Sequence, residues 1–215
     1  MMQHHSAASV LCVAAHPDDV ELMAGGTLAR WLRQGIKVHV LTLTHGSWRG
    51  VEGDEQRDAE DAIAEEQAAA ATIGYTVENL REQTMELEFE DRLVVEILQR
   101  VEKRNVDTLV CPWDRDLHHD HEIASRLAVA ASKRVNRVLM GQINHHLREV
   151  FAPNVFVDVT ETWSTKIEAL KCYESEWQRT NGEWEAFQDE LTRYYGRLAG
   201  VTRAEGFRTT KLLLP

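Results

Sequence analysis

Short apolar runs alternate with longer amphipathic stretches along most of this chain, and few folds accommodate that rhythm. Val10–Ala14, Val38–Leu43, Thr108–Cys111, Val138–Gln142 and Val155–Val159 have the length and β-branched content of buried strands, with a shorter strand at Val77–Leu80. Between them, Thr27–Gln34, Glu55–Ile73, Arg92–Lys103, Glu122–Arg134 and Ser164–Glu174 repeat apolar positions at helical spacing. Gly35 and Gly74 follow the first two helices where left-handed caps would end them. Strands joined through helices pair in parallel, so the expected fold is α/β: a three-layer, Rossmann-like, mostly parallel sheet with helices on both faces. A chain of 215 residues fills one such domain, 1–215. Its polar and aromatic end, 177–215, is read as an extension that contacts substrate or another subunit.

In open parallel sheets, ligands bind beyond the carboxyl ends of the strands. Three loops should therefore share one rim: His16-Pro17-Asp18-Asp19 after the first strand, 44–53 after the second, and 113–121 after the strand ending at Cys111. The first packs an imidazole and two carboxylates into a turn stiffened by Pro17, and the last contains Asp116-Leu117-His118-His119-Asp120-His121. Two histidines and one carboxylate, with a fourth position left for water, form a recurring catalytic zinc set. A further carboxylate beside such a centre is placed to take the water's proton and return it to a leaving amine, and Asp18 is the candidate. A lone His or Asp in a loop is usually a solvated group or a helix cap; here the clustering points to a site.

Other functions are disfavoured. A net charge of -11 repels phosphate backbones, which argues against nucleic acid. Gly25-Gly26 follows a strand, but the G-x-G-x-x-G spacing of a dinucleotide site is missing. Ala7–Ala15 is too short and lacks the preceding basic residues of a signal peptide, and no apolar run reaches the roughly 20 residues of a membrane span. The first residues, with His4 and His5, read as a tail or tag remnant. Cys12, Cys111 and Cys172 form no C-x-x-C pair and suit a reducing cytoplasm.

The chain resembles the LmbE-like, or PIG-L, family of zinc-dependent N-deacetylases. The resemblance rests on Ala15-His16-Pro17-Asp18-Asp19 followed by Gly25-Gly26-Thr27-Leu28, on His118-His119-Asp120-His121, and on Phe156-Val157-Asp158-Val159 with Lys166 and Tyr173-Glu174-Ser175. It implies that His16, Asp19 and His121 hold Zn2+, a donor set that other divalent transition metals also suit. It makes Asp18 the general base, His118 the oxyanion donor or the acid for the leaving nitrogen, and Asp120 the residue that orients His118. The implied reaction is hydrolysis of an N-acetyl (N-acyl) amide on an amino sugar or sugar conjugate, with zinc-bound water as nucleophile, in a cytoplasmic homo-oligomer. Two alternatives stay open: a deacylase of a non-sugar amide in secondary metabolism or thiol-cofactor synthesis, and an inactive metal-binding scaffold.

The sequence also departs from the family. His119 stands where relatives have proline and adds a rival imidazole, Asp116 stands where many have an aromatic hydroxyl, and Glu176 replaces a glutamine after Ser175. Arg49 and Arg57, with Trp48, flank the expected site and are candidates to contact sugar hydroxyls. Tyr195–Phe207 looks like a segment of members from sugar-modifying pathways, and Arg203 is the candidate to hold a charged part of the substrate. His39 should face away from Val38 and Val40 with no catalytic part, His45 sits in the second rim loop, and His145 and His146 read as surface residues.

Overall fold

A computed structural model describes residues 9–50 and 56–213. The expected tail with His4 and His5, and the expected helix start at Glu55, lie outside those residues. The first half of the chain runs β1 (Ser9–Ala14), α1 (Asp19–Arg33), β2 (Lys37–Thr44), the two-stranded ribbon β3 (Trp48–Arg49) and β4 (Gln56–Arg57), α2 (Ala59–Ile73), β5 (Thr76–Glu82) and α3 (Asp91–Lys103). The second half runs β6 (Thr108–Pro112), α4 (His119–Ala131), β7 (Arg137–Gly141), β8 (Val155–Asp158), α5 (Trp163–Leu170), α6 (Glu174–Arg179), α7 (Glu183–Ala199) and β9 (Ala204–Leu212). Seven strands form one sheet in the order β5-β2-β1-β6-β7-β9-β8, parallel except that β9 runs antiparallel to both neighbours. The mostly parallel α/β architecture expected from the alternation is the one adopted.

Side chains of β1 alternate between the two faces of the sheet. Val10, Cys12 and Ala14 pack into a core with α1, while Leu11, Val13 and Ala15 pack into the opposite core with α3 and α4. From β1 the chain moves outward to β2 and β5, then returns to place β6 on the other side of β1. The loops that leave β1 and β6 therefore diverge over one crevice, where open α/β sheets bind ligands.

Four elements differ from expectation. Helix α1 begins at Asp19 and contains Gly25-Gly26, a pair that reads as loop because glycine is a poor helix former. Close packing explains the glycines: a Cβ on Gly26 would lie 2.8 Å from Val159 Cβ, and one on Gly25 would lie 3.2 Å from Lys166 Cγ. Glu205 accepts the Gly26 and Thr27 amides at 3.0 and 2.7 Å, and Lys166 Nζ donates to Glu205 at 2.6 Å and to the Leu22 carbonyl at 2.8 Å. The expected helix 164–174 ends at Leu170, and α7 with β9 arises from the stretch read only as an extension. Among the described residues, no helix is long and apolar enough to cross a membrane.

Candidate active site

The turn after β1 holds its carboxylates under backbone constraint. Asp18 adopts φ 103°, a conformation that costs a non-glycine residue about 1–3 kcal/mol and recurs at functional sites. Asp19 is buried, and its Oδ2 accepts the Ala15 and His16 amides at 2.9 Å each. That locks the carboxylate and leaves Oδ1 3.1 Å from His121 Nε2. His16 Nδ1 lies 3.2 Å from the same His121 nitrogen and 3.7 Å from Asp19 Oδ2.

These spacings suit a metal ion. Zinc bonds of about 2.0–2.2 Å in tetrahedral array place donor atoms about 3.3–3.6 Å apart. His16, Asp19 and His121 bring their donor atoms to 3.1–3.7 Å of one another, close to that separation, across two loops distant in sequence. The surrounding charge favours a cation at the same point. Burial alone would lower His16 and His121, but Asp19, aided by Asp120 at His16 and by Asp116 at His121, outweighs it and holds them near about 9 and about 10. Burial would raise Asp19, yet the two imidazoles bring it well below the carboxylate range.

His118 belongs to the same cluster: His16, His118 and His121 each offer a ring nitrogen, all within 4.8 Å of one another. Its surroundings suit a different task. It caps α4, and its Nδ1 accepts the Asp120 amide at 3.2 Å, which puts the proton of the neutral ring on Nε2. Burial, then His121 and His16, lower it to about 4, so at neutral pH it is an uncharged donor.

Several partners lay beyond sequence reasoning. Asp120 does not reach His118 with its carboxylate, as the family resemblance implied. It accepts from His16 Nε2 at 2.9 Å and from the Met85 and Leu87 amides at 2.7 and 3.3 Å, tying a metal-site imidazole to the 83–90 loop. His119 Nε2 lies 2.8 Å from the Leu87 carbonyl and so is turned away from rivalry for the metal. Asp116, noticed in the sequence only as a departure, is buried, with Oδ2 3.0 Å from His121 Nδ1 and Oδ1 accepting the His118 amide at 2.8 Å. A carboxylate behind a ligating imidazole fixes its tautomer and orientation. The sequence signal was present in Asp116's place five residues before His121.

A cavity of about 990 Å³ opens over these groups, and His16, Asp18, Asp19, His118, His121 and Arg57 all line it. The three arginines proposed as substrate contacts divide. Arg57 is at the cavity, but its side chain is 2% exposed and engaged by Asp18 at 3.3 Å, Glu65 at 2.9 Å and Glu176 at 3.8 Å. Arg203 is saturated within the fold by Asp189 at 2.5 Å and Thr192 at 3.1 Å, and lies 4.0 Å from the centroid of the Trp163 ring. Arg49 sits exposed on β3 and is not among the cavity-lining residues, whereas Trp48 is. Burial, with Asp19 and Glu176 adding to it, raises Asp18 well above the usual carboxylate range against the pull of Arg57. His145 and His146, expected at the surface, line the outer cavity with ring centroids 4.3 Å apart.

Residues 11–132 match the family PIG-L: GlcNAc-PI de-N-acetylase. The chain belongs to the PIG-L family. Its similarity to diacetylchitobiose deacetylase of Thermococcus kodakarensis is 29% identity over 93% of this chain and 82% of that protein. It is 28% identical to 4-oxalmesaconate hydratase of Pseudomonas putida, over 89% of this chain and 78% of that one. In structure it resembles the conserved protein TT1542 from Thermus thermophilus, with a TM-score of 0.82, 29% identity, and coverage of 98% of this chain and 97% of that one. The PIG-L match runs from β1 through α4 and includes both loops that carry His16, Asp19 and His121; α6 and α7, which build the outer cavity wall, follow it.

Proposed function

We propose that this PIG-L protein is a metal-dependent N-deacetylase of amino sugars, with zinc held by His16, Asp19 and His121. The observation that carries this reading is the convergence of His16 Nδ1 and His121 Nε2, 3.2 Å apart, on the Asp19 carboxylate, whose Oδ1 lies 3.1 Å from His121 and Oδ2 3.7 Å from His16, with Asp18 beside them on the cavity wall. The diacetylchitobiose deacetylase relative supports the substrate class. A bound divalent ion supplies Lewis acidity, lowering the pKa of water and polarising a carbonyl. Asp18 takes the proton of the attacking water and passes it to the leaving nitrogen, so that acetate and a free amine result. A base works best with a pKa near the working pH, and the burial of Asp18 moves it in that direction. His118 donates from Nε2 to the oxygen on which negative charge develops, a contribution worth about 3 kcal/mol. Asp116 and Asp120 hold His121 and His16 in place from behind. The free cysteines Cys12, Cys111 and Cys172 support a reducing, cytoplasmic setting.

The test is amine release from a panel of N-acetylated sugars and non-sugar amides, with and without zinc, by the intact chain and by Asp18→Ala. The expected result is zinc-dependent release from the sugars that Asp18→Ala abolishes. The hydratase relative supplies the opposing outcome: hydration of 4-oxalmesaconate, with no amine released from any amide, would refute the deacetylase reading.

A further inference from the structure

The outer wall of the cavity carries chemistry that the metal site does not use. Helix α7 turns Glu183, Phe187 and Glu190 toward the cavity at i, i+4 and i+7, with Trp184 beside them, while Trp48 stands on another wall. Every arginine on the wall is already engaged. Arg57 is bound by three carboxylates, and Arg179 donates to Glu176 Oε2 at 2.5–2.8 Å while lying over the Trp48 ring. Glu176 is itself committed, accepting from Trp48 Nε1 at 2.5 Å as well. Glu183 and Glu190 are exposed, and among the described residues no cation pairs with either. The start of α7, which would otherwise attract an anion, carries its own acids, Glu183 and Glu185. Beyond the cluster of His16, Asp19 and His121, the described wall combines aromatic rings and the imidazoles of His145 and His146 with a formal charge that is negative when the histidines are neutral. At about 990 Å³ the cavity lies at the upper end of small-molecule sites, room for more than a single ring.

We infer that this cavity selects an N-acetylated oligosaccharide whose second ring is neutral or carries an ammonium group, and rejects sugars conjugated to phosphate, nucleotide or carboxylate. The inference rests on the deacetylase reading for the reacting group alone. Flat aromatic faces suit the apolar faces of sugar rings, and the two free carboxylates attract an ammonium and repel an anion. Arginine clamps recognise anionic conjugates, and the two guanidiniums of the described wall, Arg57 and Arg179, are each already paired with carboxylates of the fold.

The test uses three disaccharides of equal size, each with an N-acetylglucosamine ring: N,N'-diacetylchitobiose, its mono-deacetylated form, and N-acetylglucosamine joined to glucuronic acid. Binding is measured by calorimetry at pH 7 on the zinc-loaded full chain bearing Asp18→Asn, so that nothing turns over. The expected order has the ammonium form at least as tight as the neutral one and the acid weaker by about tenfold at low salt, a gap that narrows as salt screens it. Combined Glu183→Gln and Glu190→Gln should shrink the gap to under about threefold. Glu185→Gln, on the same helix but paired with Lys171 at 3.0 Å, should leave it in place. The acid binding as tightly as the neutral sugar, a gap that survives the double substitution, or no binding by any of the three would overturn the inference. Should the order hold while the wild-type chain releases no amine, selection of the saccharide stands and the deacetylase reading falls.

Discussion

Lys166→Met tests the contact that fixes α1, and with it Asp18 and Asp19, against the rest of the fold. Lys166 is 0% exposed, and its ammonium has two partners: Glu205 Oε1 at 2.6 Å and the Leu22 carbonyl at 2.8 Å. Methionine fills a similar volume, so the loss is electrostatic rather than one of packing. Removing one partner of a buried pair leaves an uncompensated charge and costs about 3–5 kcal/mol. The Gly26 and Thr27 amides still donate to Glu205, which favours the lower end, while the stranded Leu22 carbonyl adds about 1 kcal/mol. The sum is about 4 kcal/mol. In a chain of this size each kcal/mol moves Tm by about 2–4 °C, so a fall of roughly 8–16 °C is expected. Metal-free protein should be melted at pH 7, so that lost metal affinity does not enter. Adding Glu205→Gln to Lys166→Met should recover part of the loss, since the stranded charge goes with it. A drop of under about 2 °C for Lys166→Met, equivalent to less than about 1 kcal/mol, would refute this account of the pair.

Four further outcomes are expected. Zinc at about a thousandfold over its Kd should stabilise metal-free protein by about 4 kcal/mol in thermal melts; Ala at His16, Asp19 or His121 should remove the shift, and His118→Ala should keep it. Asp116→Ala should weaken zinc by about 10–100-fold in competition with a chromophoric chelator, because His121 loses the carboxylate behind it. Arg57→Met should lower kcat for amine release by at least about tenfold with KM changed by under about threefold, since the Arg57 guanidinium is paired with Asp18; a rise in KM alone would return it to substrate binding. Burial holds Glu66 at about 7 against the hydrogen bonds from Thr42 and Asn79, so its folded pKa lies above its unfolded one. The stability it contributes is complete below about pH 4.5 and is lost as pH rises through about 7, a change of about 3 kcal/mol that Glu66→Gln should remove from a pH series of denaturant melts.

The fold was legible because its parallel strands are buried on both faces, which writes continuous apolar runs into β1, β2, β6 and β7. Where burial was partial, legibility faded. β9 buries only its first half, Ala204–Phe207, and its outer half reads as solvated chain. Gly25-Gly26 misled for a related reason. Local propensity says loop, whereas Val159 and Lys166, far along the chain, demand a helix without side chains at that point.

The candidate site was legible to the extent that its residues are local to two turns, and illegible wherever a role depends on what a side chain has already bound. That His16, Asp19 and His121 come together could be read because each loop presents its side chains at a strand end. Asp120 could not be paired correctly, since its partners His16, Met85 and Leu87 come from other loops. Arginines are the extreme case. Arg57 and Arg203 have the chemistry of anion recognition, but the fold spends their donors on Asp18, Glu65 and Asp189. Their saturation reverses the expected sign of the substrate wall. The carboxylates left unpaired on the described wall are Glu183 and Glu190, beside the His145 and His146 imidazoles, and a charge pattern of that kind is set by pairing across the fold rather than by composition.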